Sequence, residues 1–138
     1  MANVSMNTHL PVPASQVWQV IGGFNALPAW HPGIQKSELE GGGTLRRLTV
    51  PGAGTIVEKL ENSDENARTY TYSIVEGPLP VANYAATIRV IEDDDGKGCT
   101  VEWTSDFDQT GPEADALGAI RTVYEAGLKN LEAMFGAK

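Results

Sequence analysis

The chain offers few imidazole and thiol groups for nucleophilic catalysis. It contains two histidines, His9 and His31, and one cysteine, Cys99. Nucleophilic catalysis needs a base within hydrogen-bond reach of the nucleophile. His9 falls in a predicted strand, where a structural or exposed position is expected, and Cys99 begins another strand with no evident base beside it. We therefore predict no catalytic triad, assign no catalytic residue, and interpret Cys99 as a small buried hydrophobe.

His31 stands between Trp30 and Pro32 at the end of a predicted short helix. One interpretation is that its ring forms hydrogen bonds with backbone groups near that turn. The other is that the ring lies at the edge of a binding cavity and moves protons there. The residues around it leave both interpretations open, and the first is favoured.

Metal and nucleotide sites are not indicated. The stretch EDDDGKG, residues 92–98, lacks the alternating ligand spacing and the distal glutamate of a calcium loop, so we interpret it as a hairpin turn. The glycines of residues 41–43 and 51–54 are not followed by the lysine and helix of a phosphate-binding loop. We expect no metal and no cofactor.

The bulk properties indicate one acidic domain over residues 1–138. The net charge is −8, and no basic cluster exceeds Arg46-Arg47, so a polyanion such as nucleic acid would be repelled. A single cysteine excludes an internal disulfide. Neither a membrane-length apolar run nor a secretory signal is visible. We expect a cytoplasmic monomer or homodimer without a membrane span.

The order of the elements predicts the fold. Residues 2–10 form a strand, a short helix begins within residues 12–15 and ends at the glycines of residues 22–23, residues 24–30 form a second short helix, and six strands follow between residues 34 and 109. The predicted turns lie at residues 41–43, 51–54, 62–66, 77–80 and 93–98. A capping box of Thr110 and Glu113 begins an amphipathic helix that ends at Phe135, before Gly136.

Two of the strands alternate clearly between apolar and polar residues. In TVEWTSDFD, Val101, Trp103, Ser105 and Phe107 share one face, and in NYAATIRV, Tyr84, Ala86, Ile88 and Val90 share one face. Such alternation is typical of an antiparallel sheet with one covered side. The C-terminal helix is the obvious cover. We therefore predict an α+β helix-grip fold, in which a curved seven-stranded antiparallel sheet surrounds the long C-terminal helix.

Four stretches of the sequence resemble a known superfamily. They are VPASQVWQVIGGFNALPAWHPGI, EGPLPVANYAATIRV, CTVEWTSDFD and the closing helix. In this order they resemble the START/Bet v 1-like (SRPBCC) superfamily, and specifically its bacterial polyketide cyclase/dehydrase-like branch. The resemblance implies an apolar cavity between the sheet and the long helix, which binds a lipid, a polyketide or an aromatic molecule.

A more distant resemblance to plant abscisic acid receptors implies particular site residues. It places Lys36 near a ligand-contacting lysine, and Glu58 and Tyr84 at further polar pocket positions. The two loops that guard the receptor cavity correspond to residues 51–54 and 77–80 here. Leu79 and Pro80 replace the histidine and arginine of the receptors' second loop, so hormone recognition of that kind is not implied.

The faces assigned above predict a set of inward-pointing residues. The inward-pointing residues are Leu48, Val50, Tyr72, Ile74, Tyr84, Ala86, Ile88, Trp103, Ser105, Phe107, Ile120 and Tyr124. The candidate ligand-binding set consists of these residues together with Trp30, Lys36, Glu58, Leu79 and Pro80. The pattern alone is also compatible with a solid core. Small residues at Ala86, Ser105 and Gly127 favour a cavity, as do buried rings with polar tips.

Glu58 is the best candidate for a polar anchor. It shares a face with Ile56 and Leu60, and a buried carboxylate needs a partner, which Lys36 or Arg47 could supply. A Lys36-Glu58 pair would orient a ligand carboxylate or hydroxyl. Ordinary surface charges are the alternative.

The apolar loop GPLPVANY leads us to predict that Leu79 and Val81 form the rim of the cavity mouth. A carrier or sensor of a small hydrophobic molecule is the leading hypothesis. A polyketide cyclase-type enzyme that uses Tyr84, Glu58 or His31 for proton transfer is the second. A protein-interaction module resembling co-chaperone domains is the third.

Overall fold

Seven antiparallel strands form one curved sheet in the order β1-β7-β6-β5-β4-β3-β2. The computed structural model describes residues 2–50, 54–77, 81–110 and 113–136. The elements are β1 (Ala2–Leu10), α1 (Ala14–Ile21), α2 (Leu27–Trp30), β2 (Lys36–Glu40), a 3-10 turn (Gly41–Gly43), β3 (Leu45–Val50), β4 (Gly54–Asp64), β5 (Thr69–Glu76), β6 (Val81–Glu92), β7 (Cys99–Gln109) and α3 (Glu113–Phe135). The predicted helix-grip fold is confirmed.

The alternating strands bury the faces that their sequences predict. Val101, Trp103, Ser105 and Phe107 are buried in β7, and Tyr84 to Val90 are buried at every second position of β6. The two strands pair antiparallel, with Ala86 opposite Ser105 and Ile88 opposite Trp103. Because side chains alternate with a period of two, this register puts all the apolar residues on the concave side.

Two predicted boundaries shift by a few residues. The helix predicted over residues 24–30 begins only at Leu27, because Ala26 closes a turn onto the carbonyl of Gly23. Strand β4 continues into the turn predicted at residues 62–66 and ends only at Asp64. The Asp64 carboxylate then accepts hydrogen bonds from the backbone N–H groups of Asn66 and Ala67. The Asp64 side chain therefore fixes the position of the turn.

A β-bulge turns Tyr84 toward the concave face. The register of β6 against β7 shifts between Ala82 and Ala85, and Asn83 adopts a φ of 54°. Asparagine tolerates this left-handed conformation better than most residues. The Asn83 side chain donates a hydrogen bond of 2.9 Å to the carboxylate of Asp108, which holds the bulge. Tyr84 follows directly and is buried.

Helix α3 ends as predicted, because Gly136 has a φ of 93° and its N–H binds the carbonyl of Glu132. The capping box at its start lies outside the described residues, since the side chain of Glu113 is not among them. The helix packs against β1 and β7. Buried Ala116, Ile120, Tyr124, Leu128 and Leu131 form the stripe that faces the core.

Gly127 allows α3 to approach the aromatic core closely. A methyl group at this position would lie 2.8 Å from Cδ2 of His31, 2.9 Å from Cζ3 of Trp30 and 3.0 Å from Cζ3 of Trp103. These rings are packed on several sides and cannot all retreat. A side chain at residue 127 would therefore separate the helix from the sheet.

We expect Gly127→Ala to lower the free energy of unfolding by about 1–3 kcal/mol, the usual range for overpacking a core. Gly118→Ala is the matched control, because a methyl group there meets no atom within 4 Å. Alanine should stabilise the helix at that position by up to about 1 kcal/mol. Urea denaturation of both variants measures the difference, and equal effects would show that residue 127 is not closely packed.

Candidate functional site

A cavity of about 440 Å³ lies between the concave face of the sheet and α3. Its walls are mostly apolar, and its sheet side is formed by β3 to β7. Its lining residues are Leu27, His31, Gly33, Ile34, Leu48, Val50, Ile56, Glu58, Tyr72, Ile74, Tyr84, Trp103, Gly118, Ala119, Ile120, Thr122, Val123 and Ala126. Gly118 and Thr122 are also exposed to solvent, so the cavity reaches the surface beside α3.

Part of the predicted site set lines this cavity. The lining includes the predicted residues Leu48, Val50, Glu58, Tyr72, Ile74, Tyr84, Trp103 and Ile120. The predicted residues Trp30, Ala86, Ile88, Ser105, Phe107 and Tyr124 are buried in the core but do not line the cavity. The aromatic residues of this group pack against other rings, as where Tyr124 stacks on Trp103 at 4.2 Å between ring centroids. Leu79 and Pro80 lie outside the described residues, and the rim formed by Leu79 stays a prediction.

A buried ion pair joins β3 and β4 beside the cavity. Arg46 and Glu58 are directly opposite each other across the two strands. Nε and Nη2 of Arg46 lie 2.8 Å and 2.7 Å from Oε1 of Glu58. Both side chains are largely withdrawn from solvent, with 0% of Arg46 and 8% of Glu58 exposed. Removing two charges from water is costly, so the pair depends on its close geometry.

The prediction that Lys36 or Arg47 pairs with Glu58 is wrong. Lys36 does not face the cavity: its side chain is 62% exposed and lies 3.5 Å from Glu38. The reason is register, because Lys36 is opposite Thr49, whereas Ser37 is opposite the inward Leu48. Arg47 also points away and binds Glu40 at 2.6 Å. The signal for Arg46 was present in the sequence, since it is two residues before the inward Leu48.

Aromatic rings enclose the guanidinium group of Arg46. Its Cζ atom lies 4.3 Å from the ring centroid of Phe24 and 4.9 Å from that of Tyr72. Nη1 donates a hydrogen bond of 2.6 Å to the carbonyl of Phe24. These cation–π contacts and the hydrogen bonds of Nε and Nη1 compensate in part for the lost hydration of the buried cation, whereas Nη2 has an ionic contact with Glu58 but no hydrogen-bond partner among the described residues.

The carboxylate of Glu58 is satisfied on one oxygen only. Oε1 receives both contacts from Arg46, and no hydrogen bond from the described residues reaches Oε2. Burial raises the pKa of Glu58 above its ordinary value, although the charge of Arg46 opposes that rise. Glu58 therefore presents a hydrogen-bond acceptor to an otherwise apolar cavity.

Phenol and indole groups form a hydrogen-bonded chain at the base of the cavity. Nε1 of Trp103 donates to the hydroxyl of Tyr72 at 3.0 Å, and the hydroxyls of Tyr84 and Tyr124 are in direct contact. Burial raises the pKa of Tyr84 to about 12 and raises that of Tyr72 well above its ordinary value. The tyrosines are therefore protonated donors at neutral pH, and they are poor proton acceptors.

His31 uses both ring nitrogens to hold the backbone together. Its Nδ1 accepts a hydrogen bond from the N–H of Gly33 at 3.0 Å, and Nε2 donates to the carbonyl of Val123 in α3 at 2.6 Å. Burial lowers the pKa of the ring, which keeps it neutral. The ring also lines the cavity. The first interpretation is therefore confirmed, and of the second only the position at the cavity is found, since neither nitrogen is free for proton transfer.

The sequence and the fold have known counterparts. Residues 1–136 match the family model described as polyketide cyclase / dehydrase and lipid transport. The chain belongs to this family. The abscisic acid receptor PYL2 of Arabidopsis thaliana is 30% identical over 132 residues, which cover 86% of this chain and 70% of the receptor.

Solved structures of the same shape include bacterial proteins. The protein XoxI from Bacillus cereus superimposes with a TM-score of 0.94 at 40% sequence identity, covering 98% of this chain and 96% of that one. The di-domain ARO/CYC BexL from the BE-7585A biosynthetic pathway has a TM-score of 0.78 at 19% identity, covering 96% of this chain and 46% of BexL. At that identity BexL shows the shared fold alone.

In this member of the polyketide cyclase / dehydrase and lipid transport family, the C-terminal helix forms a cavity wall as predicted, but sequence reasoning missed most of the residues that line it. The wall is α3, which contributes Gly118, Ala119, Thr122, Val123 and Ala126 beside the predicted Ile120. The spacing of 118, 122 and 126 was a usable signal, because residues four apart share a helix face. These residues were overlooked because small side chains are weak indicators of burial.

The described part of this family member also bears on the expectations for a membrane span, a metal site and the cysteine. No helix there is long and apolar enough to cross a membrane. No group of three or more His, Cys, Asp or Glu side chains in those residues is placed to hold a metal ion. Cys99 is buried, and burial together with nearby Asp93 raises its pKa to about 11, so the thiol stays protonated.

Proposed function

We propose that this protein binds a small hydrophobic molecule of the lipid, polyketide or aromatic type, as a carrier or sensor. The observation that carries the proposal is the cavity of about 440 Å³ with mostly apolar walls and few polar groups. Sites for small molecules typically measure about 300–1,000 Å³ and combine apolar walls with a small number of orienting polar atoms.

Burial of apolar ligand surface supplies the binding energy in this proposal. At about 25 cal/mol per Å², removing about 200 Å² of ligand surface from water contributes about 5 kcal/mol. The walls are held by the sheet and by α3, so the protein loses little conformational freedom on binding. Glu58, Tyr72 and Tyr84 would orient the ligand.

A cyclase-type reaction has less support from the geometry. Proton transfer requires a group that can both accept and release a proton near neutral pH. Both nitrogens of His31 are engaged, Tyr84 has a pKa of about 12, and Glu58 is paired with Arg46. These three residues were the candidates for proton transfer, so we favour binding without a reaction.

Filling the cavity is expected to weaken ligand binding. Ala119 lines the cavity from α3, and Ala119→Phe would place a ring in the ligand space. The neutral dye N-phenyl-1-naphthylamine, whose fluorescence rises in apolar surroundings, provides the measurement. We expect the native protein to bind it and Ala119→Phe to bind it about 10- to 100-fold more weakly, since displacing a packed side chain costs about 1–3 kcal/mol.

The matched control is Arg121→Phe, which adds the same ring to an exposed position of α3 outside the lining. This variant should bind the dye like the native protein. Native mass spectrometry of the purified protein should also detect a bound small molecule. Equal dye binding by folded Ala119→Phe and native protein would refute the cavity as the site.

A further inference from the structure

We infer that the ligand carries a neutral hydrogen-bond donor, such as a hydroxyl group, which binds the free oxygen of Glu58, and that the cavity rejects carboxylates. This inference rests on the proposed function and specifies the chemical class of ligand for the same site. It depends on three features of the cavity: the free acceptor, the withdrawn cation, and the direction of the tyrosine hydrogen bonds.

The first feature is the free acceptor. Glu58 lines the cavity, and its Oε1 already receives Nε and Nη2 of Arg46. Oε2 receives no hydrogen bond from the described residues, although the residue is only 6% exposed. Because Glu58 lines the cavity, a donor for Oε2 has to come from within the cavity, and a ligand that fills this space without a donor would leave a charged acceptor unpaired at a cost in free energy. A ligand O–H group placed against Oε2 would remove that cost.

The second feature is the absence of a cation that a ligand could reach. The side chain of Arg46 is 0% exposed, and Arg46 does not line the cavity. Phe24 accepts its Nη1 hydrogen bond and covers its charged group. Lys36 faces solvent. A carboxylate in the cavity would therefore lose its hydration, gain no counter-ion from the described lining residues, and approach the charge of Glu58.

The third feature is the direction of the hydrogen bonds at Tyr72. Trp103 has only a donor, so the Tyr72 oxygen must accept, and the Tyr72 hydroxyl proton can be donated either to the neighbouring hydroxyl of Tyr84 or to a ligand. Tyr72 is opposite Leu60, two residues from Glu58 on the same strand and face, and both residues line the cavity. Diagonal neighbours of this kind are within reach of long side chains. A ligand hydroxyl can thus donate to Glu58 and accept from a tyrosine.

A neutral donor fits better than a cationic one. Arg46 and Glu58 together have no net charge, so an added ammonium group would remain an uncompensated charge in an apolar space. A site that forms hydrogen bonds with a hydroxyl discriminates strongly against an analogue without it, because its own polar group is then left unpaired. The polar contact therefore sets the specificity, while the apolar walls supply the affinity.

Four naphthalenes that differ only in the substituent at position 2 test this inference by displacement of N-phenyl-1-naphthylamine at pH 7.5. They are 2-naphthol, 2-methylnaphthalene, 2-naphthoate and 2-(aminomethyl)naphthalene. We expect 2-naphthol to bind about tenfold more tightly than 2-methylnaphthalene, and 2-naphthoate to bind at least about tenfold more weakly than 2-naphthol. Equal binding of 2-naphthol and 2-methylnaphthalene, or tighter binding of the carboxylate or the amine, would overturn the inference.

The double variant Arg46→Met/Glu58→Met tests the assignment to Glu58. Replacing a whole buried ion pair by apolar side chains is often tolerated. We expect 2-naphthol to lose its advantage in this variant, while 2-methylnaphthalene still binds. An advantage that persists would contradict the role of Glu58. Should the double variant not fold, Tyr72→Phe should reduce the advantage of 2-naphthol and leave 2-methylnaphthalene unchanged, and an unchanged advantage would count against the inference.

Failure of the inference is distinguishable from failure of the proposed function. If the dye itself does not bind the native protein, the cavity is not a ligand site and both proposals fail. If the dye binds but the four naphthalenes do not rank as expected, only the class of ligand is wrong.

Discussion

Arg46→Met is expected to lower the free energy of unfolding by about 3–5 kcal/mol at pH 7, because it leaves the carboxylate of Glu58 buried without a partner. Methionine keeps much of the apolar stem of arginine, so little packing volume is lost. The substitution also removes the hydrogen bond from Nη1 to the carbonyl of Phe24 and the contacts with the rings of Phe24 and Tyr72. Urea denaturation followed by circular dichroism measures the loss.

This loss should depend on pH with a definite sign. Burial already raises the pKa of Glu58, and the charge of Arg46 opposes that rise. Without Arg46 the folded-state pKa climbs further above the ordinary value of 4.5. A carboxyl group whose pKa is higher in the folded protein costs stability as the pH rises above its unfolded value. The deficit should therefore shrink as the pH is lowered from 7 toward 5.

The double variant Arg46→Met/Glu58→Met is the control for the loss of stability in Arg46→Met and for its dependence on pH. It lacks the buried charge, so its free energy of unfolding should lie within about 1–2 kcal/mol of the native value, and its difference from the native protein should vary less with pH. The single variant Glu58→Met completes the comparison. If the loss in the double variant equals the sum of the losses in Arg46→Met and Glu58→Met, the two residues do not interact.

Trp103→Ala is expected to lower the free energy of unfolding by about 3–5 kcal/mol, the usual cost of removing a buried tryptophan ring. The ring is 2% exposed and stacks on Tyr124 with an interplanar angle of 16°. It also lies 5.4 Å from the ring of Trp30, between centroids, and donates to Tyr72. The substitution therefore removes a stacked ring and leaves the Tyr72 oxygen without its donor.

Ligand binding should partly rescue this variant. Trp103 lines the cavity, so the space that it vacates adjoins the ligand space, and N-phenyl-1-naphthylamine should raise the Tm of Trp103→Ala more than that of the native protein. Trp18→Ala is the comparison, because Trp18 is bound to Glu65 and does not line the cavity. Trp18→Ala should also be destabilised, but the dye should raise its Tm no more than it raises that of the native protein. An equal rise in Tm for the two variants would contradict the position of Trp103 at the cavity.

Local sequence patterns were sufficient for much of the fold. The alternation in β6 and β7 identified their buried faces, because a strand can present an apolar surface only with a period of two. Glycine at residues 22 and 136 marked the ends of α1 and α3. Gly136 adopts the left-handed conformation that glycine tolerates, whereas Gly22 leaves room for the ring of Trp18, which would lie 2.5 Å from a Cβ atom there. The order of elements then left few ways to bury both the sheet and the long helix.

The sequence by itself determined which faces are buried, and the tertiary structure decided which buried residues meet. Period two places Arg46 on the inner face, but only the register of β3 with β4 puts it opposite Glu58. The pairing of β2 with β3 turns Lys36 outward. The contact of His31 with Val123 joins residues from distant parts of the chain. Such contacts depend on strand register and helix position, which result from packing the whole core rather than from any local pattern.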